Sequence, residues 1–298
     1  MHRQHWPPRL ATMSTRPFAQ VDVFSPTPYL GNPLAVILDA TGLSDEQMQD
    51  VARWTNLSET TFVLPPTSQD ADYRVRIFTP GGEVPFAGHP TLGTAHAWLE
   101  NGGTPRQDGV VVQECGVGLV EIAVGSGDTA GELAFTAPPT VRSGAVSDAD
   151  LERFCAALGI ERDKVVDHQW GVNGPEWAVV KLPSAQDVLD LRPDFTDHPD
   201  LMIGVVGFYG DGNADGADVE VRAFAPVAGI DEDPVTGSLN ASIGQWLLRS
   251  GQVTGTYTAS QGTVMGRTGR VTVTPTEDGG NVLIGGPVTT LIKGSIEA

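Results

Sequence analysis

Stretches in which polar and apolar residues alternate recur along the chain and predict many short β-strands. The clearest alternation runs from Ala19 to Phe24, and the β-branched and aromatic run 60–64 is also typical of a strand. Gly31-Asn32-Pro33 is interpreted as a turn between two strands. The other segments with strand character are 34–38, 73–79, a hairpin over 110–124, 132–135, 254–258, 261–265, 270–274 and 282–285.

Two long stretches without charge predict helices that are buried on all sides. Neither 84–99 nor 234–248 contains a Lys, Arg, Asp or Glu, and a helix without a charged face is a buried helix. A different pattern, a serine followed by acidic residues, predicts surface helices that begin after Ser44 and Ser147.

The two uncharged helices follow the same motif. Val-Arg-x-Phe-x-Pro occurs at 75–80 and 221–226, and each copy is followed by polar-Pro-x-x-Gly-Thr/Ser at 89–94 and 233–238. The repeat predicts a duplicated half-molecule in which Pro90 and Pro234 take the first helical position. His89 and Asp233 would then stand at matching places, just before each helix. The Ser44 and Ser147 helices are interpreted as a second matching pair, with extra residues at 183–200.

This pattern predicts an α+β fold of two pseudo-symmetric domains. Each domain is a curved, mostly antiparallel sheet or barrel around one central apolar helix. The N-terminal domain is predicted at 17–135, with 286–298 as a candidate strand that completes it, and the C-terminal domain at 136–285. Residues 1–16 are expected to be a disordered extension, with Met13 as an alternative start to Met1.

The candidate functional groups are the N–H groups at the two helix starts and the side chain of one glutamate. The first N–H groups of a helix lack helical partners and bind anions, so that two facing starts suit a small carboxylic acid. Histidine is a poor helix cap, which favours a hydrogen-bonding or proton-handling role for His89. Glu59 stands between a helix and an apolar strand, where partial burial raises a carboxyl pKa and favours acid/base catalysis. Ordinary capping, and a solvated turn for Glu59, stay open as alternatives.

Charge and cysteine content exclude several classes of function. The chain has 18 basic and 37 acidic residues and a net charge of −19, so nucleic acid is not an expected partner. Its two cysteines form neither a zinc motif nor a disulfide framework, and a reducing cytoplasm is the expected location. No apolar run approaches the roughly 20 residues that span a bilayer, so no membrane partner is expected.

Several of these segments together resemble a known family. The segments that carry the resemblance are Val21–Phe24, Gly31–Val36, Ser58–Phe62, Phe86–Gly93, Glu232–Ser238 and Gln261–Arg267. In this order they resemble the PhzF-like isomerases of phenazine biosynthesis, which belong to the diaminopimelate-epimerase-like superfamily. The resemblance covers nearly everything after residue 17.

The resemblance implies a function and a set of site residues. It implies a homodimer with an active site between two domains, and a proton shift without metal or organic cofactor. The substrate would be a small cyclic amino or hydroxy carboxylic acid like trans-2,3-dihydro-3-hydroxyanthranilate, in secondary metabolism. Glu59 resembles the acid/base, and His89 and Asp233 resemble the polar residues that hold the substrate. The remaining candidates for substrate binding are Gly88, Gly93, Thr236, Gly237 and Ser238.

Other functions of the same cleft stay open. One is a hydrolase or lyase that acts on a related metabolite, and another is a ligand-binding homologue without catalysis. A two-cysteine racemase is not expected, because the related epimerases place a cysteine at each of two helix starts. Here Cys115 is predicted in a hairpin and Cys155 in a surface helix.

Overall fold

The computed structural model describes residues 13–125, 131–210 and 215–298, so that 1–12 of the predicted extension lie outside the described residues. The strands are β1 (Thr15–Val23), β2 (Asn32–Ile37), β3 (Thr60–Leu64), β4 (Tyr73–Thr79), β5 (Gly82–Val84), β6 (Val110–Cys115), β7 (Gly118–Val124), β8 (Glu132–Thr136), β9 (Asp167–Val172), β10 (Glu176–Lys181), β11 (Ile203–Phe208), β12 (Val219–Ala225), β13 (Ile230–Asp233), β14 (Tyr257–Gln261), β15 (Gly269–Pro275) and β16 (Val282–Glu297). The helices are α1 (Asp45–Thr55), α2 (Gly88–Glu100), α3 (Asp148–Leu158), α4 (Ala185–Asp190) and α5 (Gly237–Arg249).

The strand order shows two similar halves. The path β1-β2-β3-β4-β6-β7-β8 meets its mirror image β16-β15-β14-β12-β11-β10-β9 at the β8–β16 pair. The parallel pairs β2–β3 and β4–β6 of the first half recur as β10–β11 and β12–β14 in the second. The other described pairs are antiparallel, and α2 and α5 are largely buried against the sheet. The predicted fold class is confirmed.

In each half, the arginine of the repeated Val-Arg-x-Phe-x-Pro motif binds a glutamate of the neighbouring short strand, which is β5 beside β4 and β13 beside β12. Arg76 of β4 donates two hydrogen bonds to Glu83 of β5, at 2.7 and 2.6 Å. Arg222 of β12 makes the same pair of bonds to Glu232 of β13, both at 2.8 Å. Each guanidinium also lies over the phenylalanine two positions further on, 5.1 and 4.9 Å from the ring centre. Bidentate geometry of this kind explains the arginine in the motif.

The surface helices are not the pair that the sequence suggested. Ser44 and Ser147 do cap α1 and α3, as predicted. However, α1 connects β2 to β3, and the element that connects β10 to β11 is α4. The prediction that α1 matches α3 is therefore wrong, and 183–200 contains the counterpart of α1 instead of extra residues. With six residues, α4 is too short to show a helical period in the sequence.

Two predicted strands near the C-terminus need correction. The strand predicted at 254–258 begins only at Tyr257, and the one predicted at 261–265 is a 3₁₀ turn at Thr263–Met265. Gly262 and Gly266 flank this turn with φ of 87° and 70°. A left-handed backbone at both ends is incompatible with an extended strand, although the residues between are β-branched or apolar.

The last strand joins the halves. β16 pairs with β15 and β8 over its first residues, and then with β1 from Val288 to Glu297. β1 begins at Thr15, so that Thr15 and Arg16 of the predicted extension belong to the sheet. The limits of the two domains stay a prediction. No helix within 13–125, 131–210 or 215–298 has both the length and the hydropathy to cross a bilayer.

Candidate active site

The N-termini of α2 and α5 meet at two glycines. A Cβ atom on Gly88 would lie 3.1 Å from the Cα of Gly237, and a Cβ on Gly237 would lie 3.1 Å from the Cα of Gly88. The extended residues before the helices, Ala87 and Thr236, make no side-chain cap to the first turn. Uncapped N–H groups and the positive ends of two helix dipoles therefore converge on one region, which suits an anion.

The helices do not begin at the prolines. α2 starts at Gly88, so that His89 and Pro90 are its second and third residues. α5 starts at Gly237, and Asp233 is the last residue of β13. The prediction that His89 and Asp233 stand just before the two helices is therefore wrong. A proline is tolerated at the third helical position too, because none of the first four N–H groups has a helical partner.

The strand register corrects the internal correspondence as well. Val84 lies opposite Ile77, and Asp233 lies opposite Ala223, which has the same place in the repeated motif as Ile77. Asp233 is therefore the counterpart of Val84. Since Gly88 and Gly237 both open a helix, the counterpart of His89 is Ser238. The carboxylate of Asp233 is an addition of the second half, without an equivalent in the first.

Glu59 and His89 form the centre of the site. The Nε2 atom of His89 lies 3.5 Å from Oε2 of Glu59, and the two side chains are 5% and 18% exposed. Burial and the charge of Asp233 raise the pKa of Glu59 to about 8. Burial lowers the pKa of His89 to about 3. At neutral pH the two groups are therefore predominantly uncharged, and they do not form an ion pair.

The facing atoms of this pair have no hydrogen-bond partners in the described residues. Both Oε2 of Glu59 and Nε2 of His89 are buried and unbonded, and 3.5 Å is too long for a hydrogen bond between them. Buried polar atoms without partners are rare in folded proteins, and a catalytic role or a bound molecule is one explanation for them. A protonated Glu59 and a neutral His89 can each exchange a hydrogen bond with a small ligand here.

Asp233 is the third member of the site. Burial raises its pKa to about 6, while hydrogen bonds from Thr236 and Asn32 oppose the shift. Asn32 Nδ2 donates to Oδ1 at 3.1 Å, and the Thr236 hydroxyl donates to Oδ2. Gln261 Nε2 donates to the backbone carbonyl of Asp233 at 3.0 Å and to Thr236 Oγ1 at 2.9 Å. This carboxyl is fixed on several sides, which is a property of a group that orients a ligand.

Asn32 is the site residue that the sequence interpretation missed. Its Nδ2 atom donates to Asp233 and to the Val235 carbonyl, at 3.1 and 2.9 Å, and lies 3.4 Å from Nδ1 of His89. It therefore connects β2 of the first half with β13 of the second. The sequence Gly31-Asn32-Pro33 predicts a turn, because glycine, asparagine and proline are common in turns. Only the contact across 201 positions reveals another role.

The remaining predicted residues separate into two groups. Gly88, Gly237, Thr236 and Ser238 lie at the helix junction or contact Asp233. Gly93 is not brought to this junction, because its open side faces Leu34 and the valines of β1, where a Cβ would lie 2.6 Å from Leu34 Cδ2. Its position is that of a packing glycine between α2 and the sheet.

The carboxyl group of Glu59 has no counterpart in the second half. Thr60 and Ile203 have matching places in the sheet, opposite Phe78 and Phe224 of the repeated motif. The residue before each is Glu59 in the first half and Met202 in the second. The cysteines are also elsewhere, with Cys115 at the end of β6 and Cys155 in α3. The helix starts hold no thiol, so the structure does not support a two-cysteine racemase.

A groove on another part of the surface is not part of this centre. It has a volume of about 780 Å³ and runs past β6, β7 and the end of β8, and Glu59, His89 and Asp233 do not line it. The candidate site is identified instead by the buried Glu59–His89 pair beside the starts of α2 and α5. Among the residues that the structure describes, no cluster of three His, Cys, Asp or Glu is arranged to hold a metal ion.

Comparisons with known proteins place the chain in a family. The family model described as "Phenazine biosynthesis-like protein" matches residues 21–294. "Antisense-enhancing sequence 1" of Schizosaccharomyces pombe is 39% identical over 79% of this chain and 81% of the relative. The "Trans-2,3-dihydro-3-hydroxyanthranilate isomerase" of Pseudomonas aeruginosa is 36% identical over the same shares of the two chains.

Solved structures show the same fold. A Bacillus anthracis phenazine biosynthesis protein of the PhzF family has a TM-score of 0.81 and 24% identity, over 95% of this chain and 99% of the other. A hydroxyproline epimerase of Agrobacterium vitis has a TM-score of 0.57 and 16% identity, over 96% and 92%. The expectation of a PhzF-like isomerase with an epimerase-like fold is confirmed at the level of fold, family and enzyme class. The chain belongs to the family of phenazine biosynthesis-like proteins.

Proposed function

We propose that this enzyme is a cofactor-independent isomerase that moves a proton within a small cyclic amino or hydroxy carboxylic acid. The observation that carries the proposal is the buried Glu59–His89 pair beside two uncapped helix starts. The name of the Pseudomonas aeruginosa relative supports trans-2,3-dihydro-3-hydroxyanthranilate as the substrate class. A cytoplasmic homodimer with a role in secondary metabolism belongs to the same proposal.

Glu59 is the proposed acid/base. As a carboxylate it takes a proton from a carbon that is acidic because it is conjugated to an unsaturated system. The electron pair of the broken C–H bond moves into that system, and Glu59 returns the proton to another carbon on the same face. A pKa of about 8 keeps both forms of the group available near neutral pH, which is the condition for efficient transfer in both directions.

The other groups hold the substrate and the charge that develops on it. The N–H groups at the starts of α2 and α5 face the region where a carboxylate would lie, and they would stabilise an enolate-like charge beside it. His89 is neutral, so it exchanges hydrogen bonds with the substrate without competing for the proton. Asp233, held by Asn32 and Thr236, accepts from an amino or hydroxyl group.

The test is turnover in D₂O with trans-2,3-dihydro-3-hydroxyanthranilate. The expected product is an isomer of the substrate, with deuterium on the newly protonated carbon only in those turnovers in which the proton on Glu59 exchanges with solvent before it is returned. Glu59→Gln is expected to lower kcat by about 10³-fold or more while most of the binding remains. Glu152→Gln, an exposed glutamate of α3, is the matched control and should retain full activity. The kcat/KM of the wild type should rise as the pH approaches about 8 from below, because the base must be ionised.

Other results would assign another function. A product that has gained or lost the elements of water would indicate a hydrolase or lyase. Binding without any conversion of the ligand and without isotope exchange would indicate a protein that has kept the cleft without catalysis. Undiminished turnover by Glu59→Gln would contradict the acid/base role.

A further inference from the structure

We propose that Trp177 is a positioning residue that makes the hydroxyl of Ser238 a directed hydrogen-bond donor for the substrate's carboxylate. The inference rests on the proposed function, and it adds the group that orients one of the substrate's partners. Trp177 lies in β10 and is 3% exposed. It belongs to none of the motifs in the sequence that pointed to the site.

The donor sets the direction of the hydrogen bond between Trp177 and Ser238. The indole N–H of tryptophan is a donor only, so Ser238 Oγ must be the acceptor of the 3.0 Å bond from Trp177 Nε1. The proton of the serine hydroxyl is then directed away from the indole. Within the described residues the other bonds to Ser238 go to its backbone carbonyl, from Asn173 and Ser242. The hydroxyl proton has no protein acceptor there.

The Ser238 hydroxyl lies at the junction of the two helix starts. Ser238 is the second residue of α5, next to Gly237, which touches Gly88. The same helix start offers backbone N–H groups without a side-chain cap. Ser238 is partly exposed, whereas Trp177 is buried. A ligand oxygen therefore has access to the hydroxyl but not to the indole, and an anionic oxygen gains from both the hydroxyl and the helix end.

The first half lacks this device. Thr60 and Ile203 have matching places in the two halves, and they pair with Ala35 and Ala178. The residues just before these alanines are Leu34 and Trp177. Leu34 is thus the counterpart of Trp177, and a leucine donates no hydrogen bond. His89 has the place of Ser238. The two halves therefore have different functions. Glu59 and His89 of the first half transfer the proton, and Trp177 and Ser238 of the second half bind the carboxylate.

The experiment measures binding of 3-hydroxyanthranilate, an aromatic acid that carries the same substituents as the proposed substrate. Its carboxamide serves as the uncharged comparison. The variants are Trp177→Phe, Ser238→Ala and the double variant. Trp246→Phe is the matched control, because Trp246 is 5% exposed and lies two turns further along α5. It loses the same atoms from the core without contact to the hydroxyl.

Trp177→Phe is expected to weaken binding of the acid about tenfold, the usual effect of one hydrogen bond to a charged group, and to change binding of the carboxamide much less. Ser238→Ala should show a similar loss, and Trp177→Phe should add nothing in that background, because both act through one group. Trp246→Phe should leave the preference for the acid unchanged. A purely structural role for Trp177 would instead weaken both ligands equally.

Two outcomes would overturn the inference, and they differ from a failure of the proposed function. Wild-type affinity for the acid in Trp177→Phe, or additive losses in the double variant, would exclude a positioning role. If phenylalanine unfolds the protein, benzothienyl-alanine at position 177 keeps the ring shape, removes only the N–H group and must give the same selective loss. If the wild type itself does not bind 3-hydroxyanthranilate, the proposed substrate class is wrong.

Discussion

Replacing Glu59 with glutamine is expected to make the fold more resistant to alkaline pH, although it removes the proposed acid/base. The pKa of Glu59 is about 8 in the folded protein, because burial and the charge of Asp233 disfavour the carboxylate. In the unfolded chain it returns to about 4.5. Between these values the folded state holds a proton that the unfolded state has lost, and the free energy of unfolding therefore falls as the pH rises.

The magnitude follows from this interval. Each pH unit corresponds to about 1.4 kcal/mol for a single group. From about pH 6.5 to about pH 9.5, through the folded pKa of about 8, Glu59 alone should lower the free energy of unfolding of the wild type by about 2 kcal/mol. Above about pH 9 both states are ionised and the decline ends. Glutamine does not titrate, so the variant should lack this component.

The assay is urea unfolding of both proteins across this pH range, followed by tryptophan fluorescence. The difference in the free energy of unfolding between Glu59→Gln and the wild type should shift in favour of the variant by about 2 kcal/mol from about pH 6.5 to about 9.5. Glu152→Gln should run parallel to the wild type. Parallel curves for Glu59→Gln would refute the reasoning, since they would mean that the carboxyl is ionised in the folded protein at neutral pH.

Two further predictions concern the scaffold. Gly88→Ala should lower the free energy of unfolding by about 1–3 kcal/mol, measured by thermal or urea unfolding, and should reduce activity. The new methyl group would lie 2.9 Å from the ring of Phe135 and 3.1 Å from the Cα of Gly237, so it would force the two helix starts apart. An unchanged unfolding midpoint would show that the junction can accommodate the methyl group. Arg222→Ala should cost about 3 kcal/mol because it removes a buried guanidinium and leaves Glu232, whose side chain is only 15% exposed, without this partner. Arg76→Ala, whose partner Glu83 is 41% exposed, should cost about 1 kcal/mol or less. Equal losses in the two variants would contradict this ranking by burial.

Much of the scaffold could be predicted because its strands and helix caps depend on residues that are close together in the sequence. The strand at Tyr73–Thr79 and the Ser44 and Ser147 caps were predicted from a few neighbouring residues each. The repeated arginine motif predicted two similar halves correctly, since the same pair of strands must be fastened in both. Helix α4 was missed because six residues show no period.

The site was less predictable because its geometry depends on pairing between distant strands. A shared proline suggested that His89 and Asp233 correspond, but the register of the short strands makes Val84 the counterpart of Asp233. Asn32 and Trp177 were not identified as site residues, because their partners lie 201 and 61 positions away in the chain. Sequence could identify the chemically unusual residues, but not the ones that hold them in place.

The path of β16 has a consequence for how the chain folds during synthesis. β1 leaves the ribosome long before β16, yet one of its two edges is covered by residues 288–297 of β16. Until those residues emerge, the first half presents an unpaired strand edge, which is the kind of surface through which incomplete chains associate. The half that supplies Glu59 and His89 is thus made first but completed last.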